Sequence, residues 1–162
     1  MNIGLGSIEG NLAFTKSHDT VNHVATEVEI HSGSIIQVPV RKLDDVLTEI
    51  TLNNVVIMKI DVEGFETEVL RGCGDLLNNN NLRVVIIELN GSGERYGYNE
   101  NEIHELFLSK GFFPYRYLPS NREIVKLENK ASNHNTIYLR DEEFIKNRLA
   151  TSNKVEIQGV LL

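Results

Sequence analysis

The hydrophobic positions in the middle of the chain form two continuous runs, and each run ends in polar residues. Val55 to Met58 is an unbroken apolar run, and Val84 to Ile87, within the segment Leu82 to Asn90, is a second one. Runs of this kind are typical of strands that are covered on both faces, as in a parallel sheet. Gly64 permits a sharp turn after the first run, and the apolar residues between Phe65 and Leu70 have the spacing of a helix that packs on the sheet. The pattern predicts an α/β domain with a mixed, mostly parallel sheet and flanking helices.

Charged and polar side chains follow both apolar runs. Lys59, Asp61 and Glu63 alternate with apolar residues after the first run, so a strand would place them on one face. The second run ends in Glu88 and Asn90. Ligands of open α/β sheets bind at the carboxyl ends of strands, and we therefore predict a site where these two strands end. Lys59 is predicted to form a salt bridge with a nearby acid.

The glycine-rich segment from Gly4 to Gly10 has two interpretations. It resembles a phosphate-binding loop, which requires a strand before the first glycine and a helix after the last. Three residues precede Gly4, and Leu12 to Thr15 has the composition of a short strand. The context favours a turn between two strands.

A polar, irregular segment follows and contains His18, Asp19, Asn22 and His23. These side chains suggest a metal site, but the other histidines are scattered and no paired spacing supports one. We predict a loop without a metal. Asn22 and His23 are candidates for the lining of a substrate pocket, because such loops often carry functional residues.

The remaining pattern predicts the flanking elements. A strand is expected over Ile35 to Arg41 and a short helix over Leu43 to Ile50 with Asp44 as its N-cap. The segment from Gly91 to Tyr98 is a candidate lid, and the helix that begins at Asn99 carries His104, which we expect on the surface. Three further strands are expected in the C-terminal part, over Phe112 to Leu118, Ile124 to Leu127 and Thr136 to Arg140. A last helix capped by Asp141 is expected after them.

Charge and composition narrow the classes of function. The formal net charge is -7, and we therefore predict neither a nucleic-acid partner nor a membrane-surface partner. No apolar run approaches the ~20 residues that a spanning helix needs. Cys73 is the one cysteine, so it has no disulfide partner within the chain, which is typical of a reducing compartment. We predict a cytoplasmic protein.

Four sequence segments together resemble the FkbM family of S-adenosylmethionine-dependent methyltransferases. They are Val38 to Asp45 (Val-Pro-Val-Arg-Lys-Leu-Asp-Asp), Lys59 to Glu66 (Lys-Ile-Asp-Val-Glu-Gly-Phe-Glu), Val69 to Gly72 (Val-Leu-Arg-Gly) and Ile86 to Leu89 (Ile-Ile-Glu-Leu). The run Lys-Ile-Asp-Val-Glu-Gly is the most specific of the four. The resemblance covers roughly residues 2–90 in the family's order.

The resemblance implies a Rossmann-like class I methyltransferase fold that uses S-adenosylmethionine as its cofactor. It implies methylation of a hydroxyl oxygen on a sugar, polyketide or similar metabolite, so the partner is a small-molecule or glycan acceptor. The segment from Asn2 to Gly6 matches the end of the family's third strand, which assigns Gly4 and Leu5 to the adenine side of the cofactor. Asp61 matches the acid beside the methionine moiety and the acceptor. Asp61 and Glu63 are therefore the catalytic candidates, and Asn22, His23, Glu88 and Asn90 are the candidates for substrate binding.

The chain departs from the family at its N-terminal end. The family's Asp-x-Gly-x-x-x-Gly loop and the acid that binds the ribose hydroxyls are not found in this sequence. We therefore expect an incomplete methyltransferase domain over residues 1–151, followed by a tail over residues 152–162. The alternative is a non-catalytic remnant, or one half of a split enzyme that acts as a binding or assembly module.

The same departure predicts an open sheet edge. In related enzymes the first strand pairs with the fourth, so Val55 to Asp61 would lack a neighbour on one side. An apolar edge is a template for pairing with another chain. We therefore expect a homodimer or a complementing chain at this edge.

Overall fold

A computed structural model of the 162-residue chain describes residues 1–16, 21–32, 34–50, 52–131 and 135–161. His18 and Asp19 lie outside the described residues. The helices are α1 (Glu27–Ser32), α2 (Leu43–Leu47), α3 (Glu66–Arg71), α4 (Gly74–Asn78), α5 (Glu100–Ser109) and α6 (Glu142–Thr151), with a 3-10 helix at Ser92–Tyr96. The strands are β1 (Gly4–Leu5), β2 (Gly10–Thr15), β3 (Ile35–Arg41), β4 (Val56–Ile60), β5 (Leu82–Glu88), β6 (Phe113–Leu118), β7 (Glu123–Lys126), β8 (Asn135–Leu139), β9 (Glu156–Ile157) and β10 (Val160–Leu161).

The described strands form a large sheet, a small sheet and a C-terminal hairpin. The large sheet has the order β4-β5-β8-β6-β7, and the small sheet has the order β1-β3-β2. β4 and β5 run parallel, whereas β8 is antiparallel to both β5 and β6, and β7 is antiparallel to β6. The mixed α/β class is confirmed. A mostly parallel sheet is not, because β8 inserts antiparallel between β5 and β6, and β7 pairs with β6 as a hairpin.

β4 lies at the end of the large sheet and has an uncovered face. Met58 and Ile60 are buried, whereas Ile57 is 64% exposed and lies on the opposite face. The prediction that this strand is covered on both faces is wrong. One face is buried in the core, and the apolar side chain of Ile57 on the other face is exposed. In the described part of the chain β5 is its one paired neighbour, so the predicted open edge is present.

The main core lies between the large sheet and the helices α3, α4 and α5. Leu82, Val85 and Ile87 of β5 are fully buried against Phe107 of α5 and Tyr138 of β8. A smaller core on the other face of the sheet contains Val84, Tyr115 and Leu139. This arrangement leaves the carboxyl end of β4 facing the small sheet.

The small sheet contacts the helix layer at one close backbone approach. A Cβ atom at Gly72 would lie 2.0 Å from the carbonyl oxygen of Gly6, so only glycine fits there. The amide of Asp44 donates to the carbonyl of Gly72 at 3.0 Å. This contact holds β1 and β3 against the C-terminal end of α3.

Candidate functional site

One cavity lies between the small sheet and the carboxyl end of β4. Its volume is about 350 Å³, within the ~300–1,000 Å³ range of ligand pockets. The residues that line it are Ile3, Gly4, Leu5, Phe14, Asn22, Val24, Leu43, Met58, Lys59, Ile60, Asp61, Val62, Phe65 and Val69. The cavity therefore brings together four of the predicted site residues, which are Gly4, Leu5, Asn22 and Asp61.

Asp61 directly follows the end of β4 and supplies the carboxylate of this cavity. Its Oδ2 lies 2.5 Å from the Nζ of Lys59, which confirms the predicted salt bridge. The two side chains are 39% and 55% exposed, so solvent screens the attraction and the pair is weak. The Asp61 carboxylate is therefore available to a ligand in the cavity.

Glu63 does not line this cavity. The strand ends at Ile60, and Glu63 has a φ of 51°, a left-handed conformation that turns the chain out of the alternating pattern. The carbonyl oxygen of Glu63 accepts a hydrogen bond from Arg95 at 3.3 Å. The turn separates Glu63 from Asp61, and Glu63 remains a catalytic candidate by family resemblance alone.

Gly64 completes the turn after Asp61. Its φ is 101°, and a Cβ atom there would lie 2.5 Å from the carbonyl oxygen of Ser92. Both the conformation and the close approach require glycine. The turn is therefore packed against the 3-10 helix, which fixes the position of Asp61 at the end of β4.

Gly4 and Leu5 belong to β1 and form the opposite wall. A Cβ atom at Gly4 would lie 3.1 Å from a methyl group of Val40, so this glycine permits close packing within the small sheet. The residues after Gly10 form a strand, not a helix. The turn interpretation of the glycine-rich segment is confirmed, since a phosphate cradle needs a helix N-terminus.

Asn22 and His23 are adjacent but have different surroundings. Asn22 lines the cavity, and its Oδ1 accepts from the Thr15 hydroxyl at 3.3 Å. His23 is buried, with Nδ1 2.9 Å from the Val21 carbonyl and Nε2 3.1 Å from Glu29. Its ring therefore supports the loop from inside and does not line the cavity.

The carboxylate of Glu29 connects this loop to helix α1. It accepts hydrogen bonds from the hydroxyl and the amide of Thr26 at 2.7 and 2.8 Å. These bonds, with that of His23, lower the pKa of Glu29 to about 2. Thr26 and Glu29 have the spacing of a capping box, a signal that was available in the sequence and that predicts α1.

Glu88 and Asn90 lie at the end of β5, as predicted, but outside the lining of the cavity. Ile60 pairs with Ile87 in parallel register, so Asp61 and Glu88 follow at the same level of the sheet. The Oδ1 of Asn90 accepts from the amide and the hydroxyl of Ser92 at 3.0 and 2.6 Å. Asn90 therefore supports the turn that leads into the 3-10 helix, which is a structural role.

Three aromatic residues near the cavity were not predicted as site residues. Phe14 and Phe65 line it, and Tyr96 contacts Phe65 edge to face with the ring centroids 5.6 Å apart. The Tyr96 hydroxyl donates to the carbonyl of Val24 at 2.6 Å. Burial raises the pKa of Tyr96, which keeps this donor protonated. The candidate lid is thus a docked 3-10 helix that braces the cavity wall.

Neither a metal centre nor a membrane-spanning helix is found among the described residues. Within those ranges, no group of three His, Cys, Asp or Glu side chains has an arrangement that would hold a metal ion. None of the helices in the described segments has both the length and the apolar character needed to cross a membrane.

A model of the methyltransferase FkbM domain matches residues 3–114 of the chain. The match covers well over half of the sequence and includes both walls of the cavity. The chain therefore belongs to the FkbM methyltransferase domain family. Neither a curated protein nor a solved structure matches the chain.

Proposed function

We propose that the cavity between β1 and β4 binds S-adenosylmethionine and that the protein methylates a hydroxyl group of a small-molecule or glycan acceptor. The observation that carries the proposal is the convergence of Gly4, Leu5 and Asp61 on one cavity. The family resemblance assigns these three residues to the cofactor independently of their positions in the structure. The parallel pair β4–β5 would then form part of a Rossmann-like sheet, with the site at its carboxyl end.

The lining of the cavity fits a ligand that is apolar at one end and cationic at the other. Leu5, Phe14 and Phe65 provide an apolar surface against which an adenine ring would stack. Asp61 provides a carboxylate for the ammonium group of the methionine moiety. When bound, S-adenosylmethionine supplies an electrophilic methyl group.

The contribution of the chain to catalysis would be to orient the acceptor and to receive its proton. Methyl transfer to a hydroxyl requires the acceptor oxygen to be held in line with the methyl group and to lose its proton. Asp61 either accepts this proton or binds the ammonium group of the cofactor. Glu88 follows at the same level of the sheet, outside the lining of the cavity, and we propose it as a contact for the acceptor.

Calorimetric titration of the purified chain with S-adenosylmethionine and with its demethylated product tests this proposal. We expect micromolar affinity and a loss of about tenfold in Asp61→Asn, since a hydrogen bond to a charged group contributes roughly 1.5–3 kcal/mol. Glu63→Gln is the matched control, because it removes a neighbouring carboxylate outside the cavity, and its affinity should equal that of the wild type. Equal affinities of wild type and Asp61→Asn would contradict the assignment of Asp61.

A non-catalytic binding or assembly module is the second candidate. The observation that favours it is that Lys59 and Asp61 are the only charged residues in the described lining, and they pair with each other. This lining offers no second acid for the ribose hydroxyls. Absence of heat with either ligand, in a chain that folds, would favour this second function.

A further inference from the structure

The carboxylate of Glu68 connects three separate parts of the chain. It accepts hydrogen bonds from the hydroxyl of Ser7 in the turn after β1, from the Tyr98 hydroxyl at 2.7 Å, and from Arg71 in its own helix at 2.6 Å. The side chain of Glu68 is only 13% exposed. Burial disfavours the charged form, but the hydrogen bonds outweigh it and lower the pKa of Glu68.

The surrounding contacts place this carboxylate at the junction of the two sheets. The guanidinium of Arg71 lies 5.3 Å from the centroid of the Tyr98 ring, which orders both donors. The close approach of Gly72 to Gly6 lies one residue beyond Arg71. Ser7 belongs to the turn between β1 and β2 of the small sheet, Glu68 to the helix layer and Tyr98 to the segment that follows the 3-10 helix.

The two walls of the cavity belong to these same two units. Gly4 and Leu5 are in β1 of the small sheet. On the other wall, Phe65 directly precedes α3 and Val69 follows Glu68 within this helix. Glu68 itself does not line the cavity. Ser7 lies in the turn after β1, and this turn docks on α3. A change in this docking would therefore change the distance between the two walls of the cavity.

We infer that Glu68 is a positioning residue, which fastens the small sheet to α3 and so sets the width of the cavity between β1 and β4. Its consequence for ligand affinity rests on the proposed function, whereas its consequence for the docking of the sheets does not. Three charge-assisted hydrogen bonds from different segments converge on one carboxylate, and bonds of this kind are about twice as strong as neutral ones.

Glu68→Ala and Glu68→Gln separate this role from a general contribution to stability. Alanine removes all three hydrogen bonds. Glutamine retains the shape, an oxygen that accepts from Tyr98 and Arg71, and an amide that donates to the Ser7 hydroxyl, so it should restore docking. Glu105→Ala is the matched control, because Glu105 is an exposed helical glutamate on α5.

Amide hydrogen exchange of the free protein is the first measurement. In Glu68→Ala we expect exchange in residues 4–12 to accelerate about tenfold, while exchange in β5 stays at the wild-type rate. Glu68→Gln and Glu105→Ala should behave like the wild type. Unchanged exchange in residues 4–12, or equal acceleration in both sheets, would overturn the inference. Should Glu68→Ala not fold, the pair Ser7→Ala and Tyr98→Phe removes two of the three bonds and decides the question in the same way.

Calorimetry with S-adenosylmethionine is the second measurement. We expect the affinity to fall about tenfold in Glu68→Ala and to recover in Glu68→Gln, although neither side chain lines the cavity. Wild-type affinity in Glu68→Ala would contradict the positioning role. If the wild-type chain itself binds no cofactor, the proposed function fails, and the exchange measurement still decides the role of Glu68.

Discussion

At the scale of single residues, the alternation of polar and apolar positions predicted the location of Asp61 but not that of Glu63. Lys59 and Asp61 form the ion pair expected of neighbours on one face of a strand. Glu63 leaves this face because the chain turns at a positive φ directly before Gly64. Period-two reasoning holds only while the strand continues, and the tertiary contact of Gly64 with Ser92 ends it.

His104 is a second residue whose surroundings differ from the expectation. We predicted a surface position, but the side chain is 7% exposed and its Nδ1 lies 2.8 Å from the hydroxyl of Tyr138. The prediction is wrong because β8, which carries Tyr138, packs beneath α5. A polar residue is buried where a distant strand supplies its hydrogen-bond partner, and helical spacing contains no such information.

Glu66 provides a test at this scale. Burial raises the pKa of this carboxyl, although the amide of Gly64 donates to it at 3.0 Å. Because the pKa is raised in the folded state, the contribution of Glu66 to the free energy of unfolding is fully present below the ordinary pKa of 4.5. This contribution is lost as the pH rises through the folded-state pKa. We therefore expect Glu66→Gln, which keeps the acceptor oxygen and removes the charge, to raise the melting temperature at pH 8.

Thermal unfolding between pH 5 and pH 8 checks this expectation. The melting temperature of Glu66→Gln should exceed that of the wild type by an amount that grows with pH. Each kcal/mol in the free energy of unfolding corresponds to about 2–4 °C. Glu105→Gln, at an exposed position on α5, should show no such trend. A melting temperature below that of the wild type at every pH would show that the charged hydrogen bond to Gly64 outweighs the cost of burial.

At the scale of elements, the sequence predicted the strands β2 to β8 and the helices α2, α3, α5 and α6, but not α1, α4, β9 or β10. β3 has the predicted bounds, and the helix capped by Asp141 is present, with the Asp141 carboxylate accepting from the amide of Phe144 at 3.2 Å. Asp44 was expected to cap α2. It caps α4 instead, because its carboxylate accepts from the amides of Asp75 and Leu76 at 2.9 and 3.0 Å. A cap supplied by a residue 31 positions away cannot be predicted from local spacing.

Asp44→Ala should destabilise the fold by about 1–2 kcal/mol, since it removes both acceptors from the N-terminus of α4. The loss would release Leu76 and Leu77, which are buried in the main core. Asp44→Asn retains one acceptor and should have about half of the effect. Urea unfolding measures the loss of stability in Asp44→Ala and in Asp44→Asn. The control is Asp45→Ala, at the exposed neighbouring position in α2. A loss in Asp45→Ala equal to that in Asp44→Ala would contradict the assignment of Asp44 to the N-terminus of α4.

At the scale of the whole molecule, the large sheet ends in an apolar edge. Val55 and Ile57 are 47% and 64% exposed, and β4 pairs with β5 on one side. Exposed edges with apolar residues promote pairing with another chain. We propose that β4 mediates self-association of the protein.

Sedimentation velocity over a range of concentrations tests this proposal. The wild type should show a sedimentation coefficient that rises with concentration, and Ile57→Lys should remain a monomer, because a charge at this position opposes edge pairing. Ile8→Lys is the matched control, since Ile8 is 65% exposed but lies in the turn between β1 and β2. A wild-type protein that stays monomeric at every concentration would exclude association through β4.

The sequence by itself determined the family, the class of fold, the strands β4 and β5 and the residues at their ends. These features depend on local periodicity and on a contiguous motif, Lys59 to Gly64, and both can be read without tertiary contacts. The tertiary structure alone decided which predicted site residues share a cavity. It brought Gly4, Leu5 and Asn22 to Asp61 across more than thirty residues, and it left Glu63 and His23 outside the lining. The physical reason is that the cavity forms where two sheets meet, and their docking depends on long-range contacts at Gly72 and Glu68 that no local pattern records.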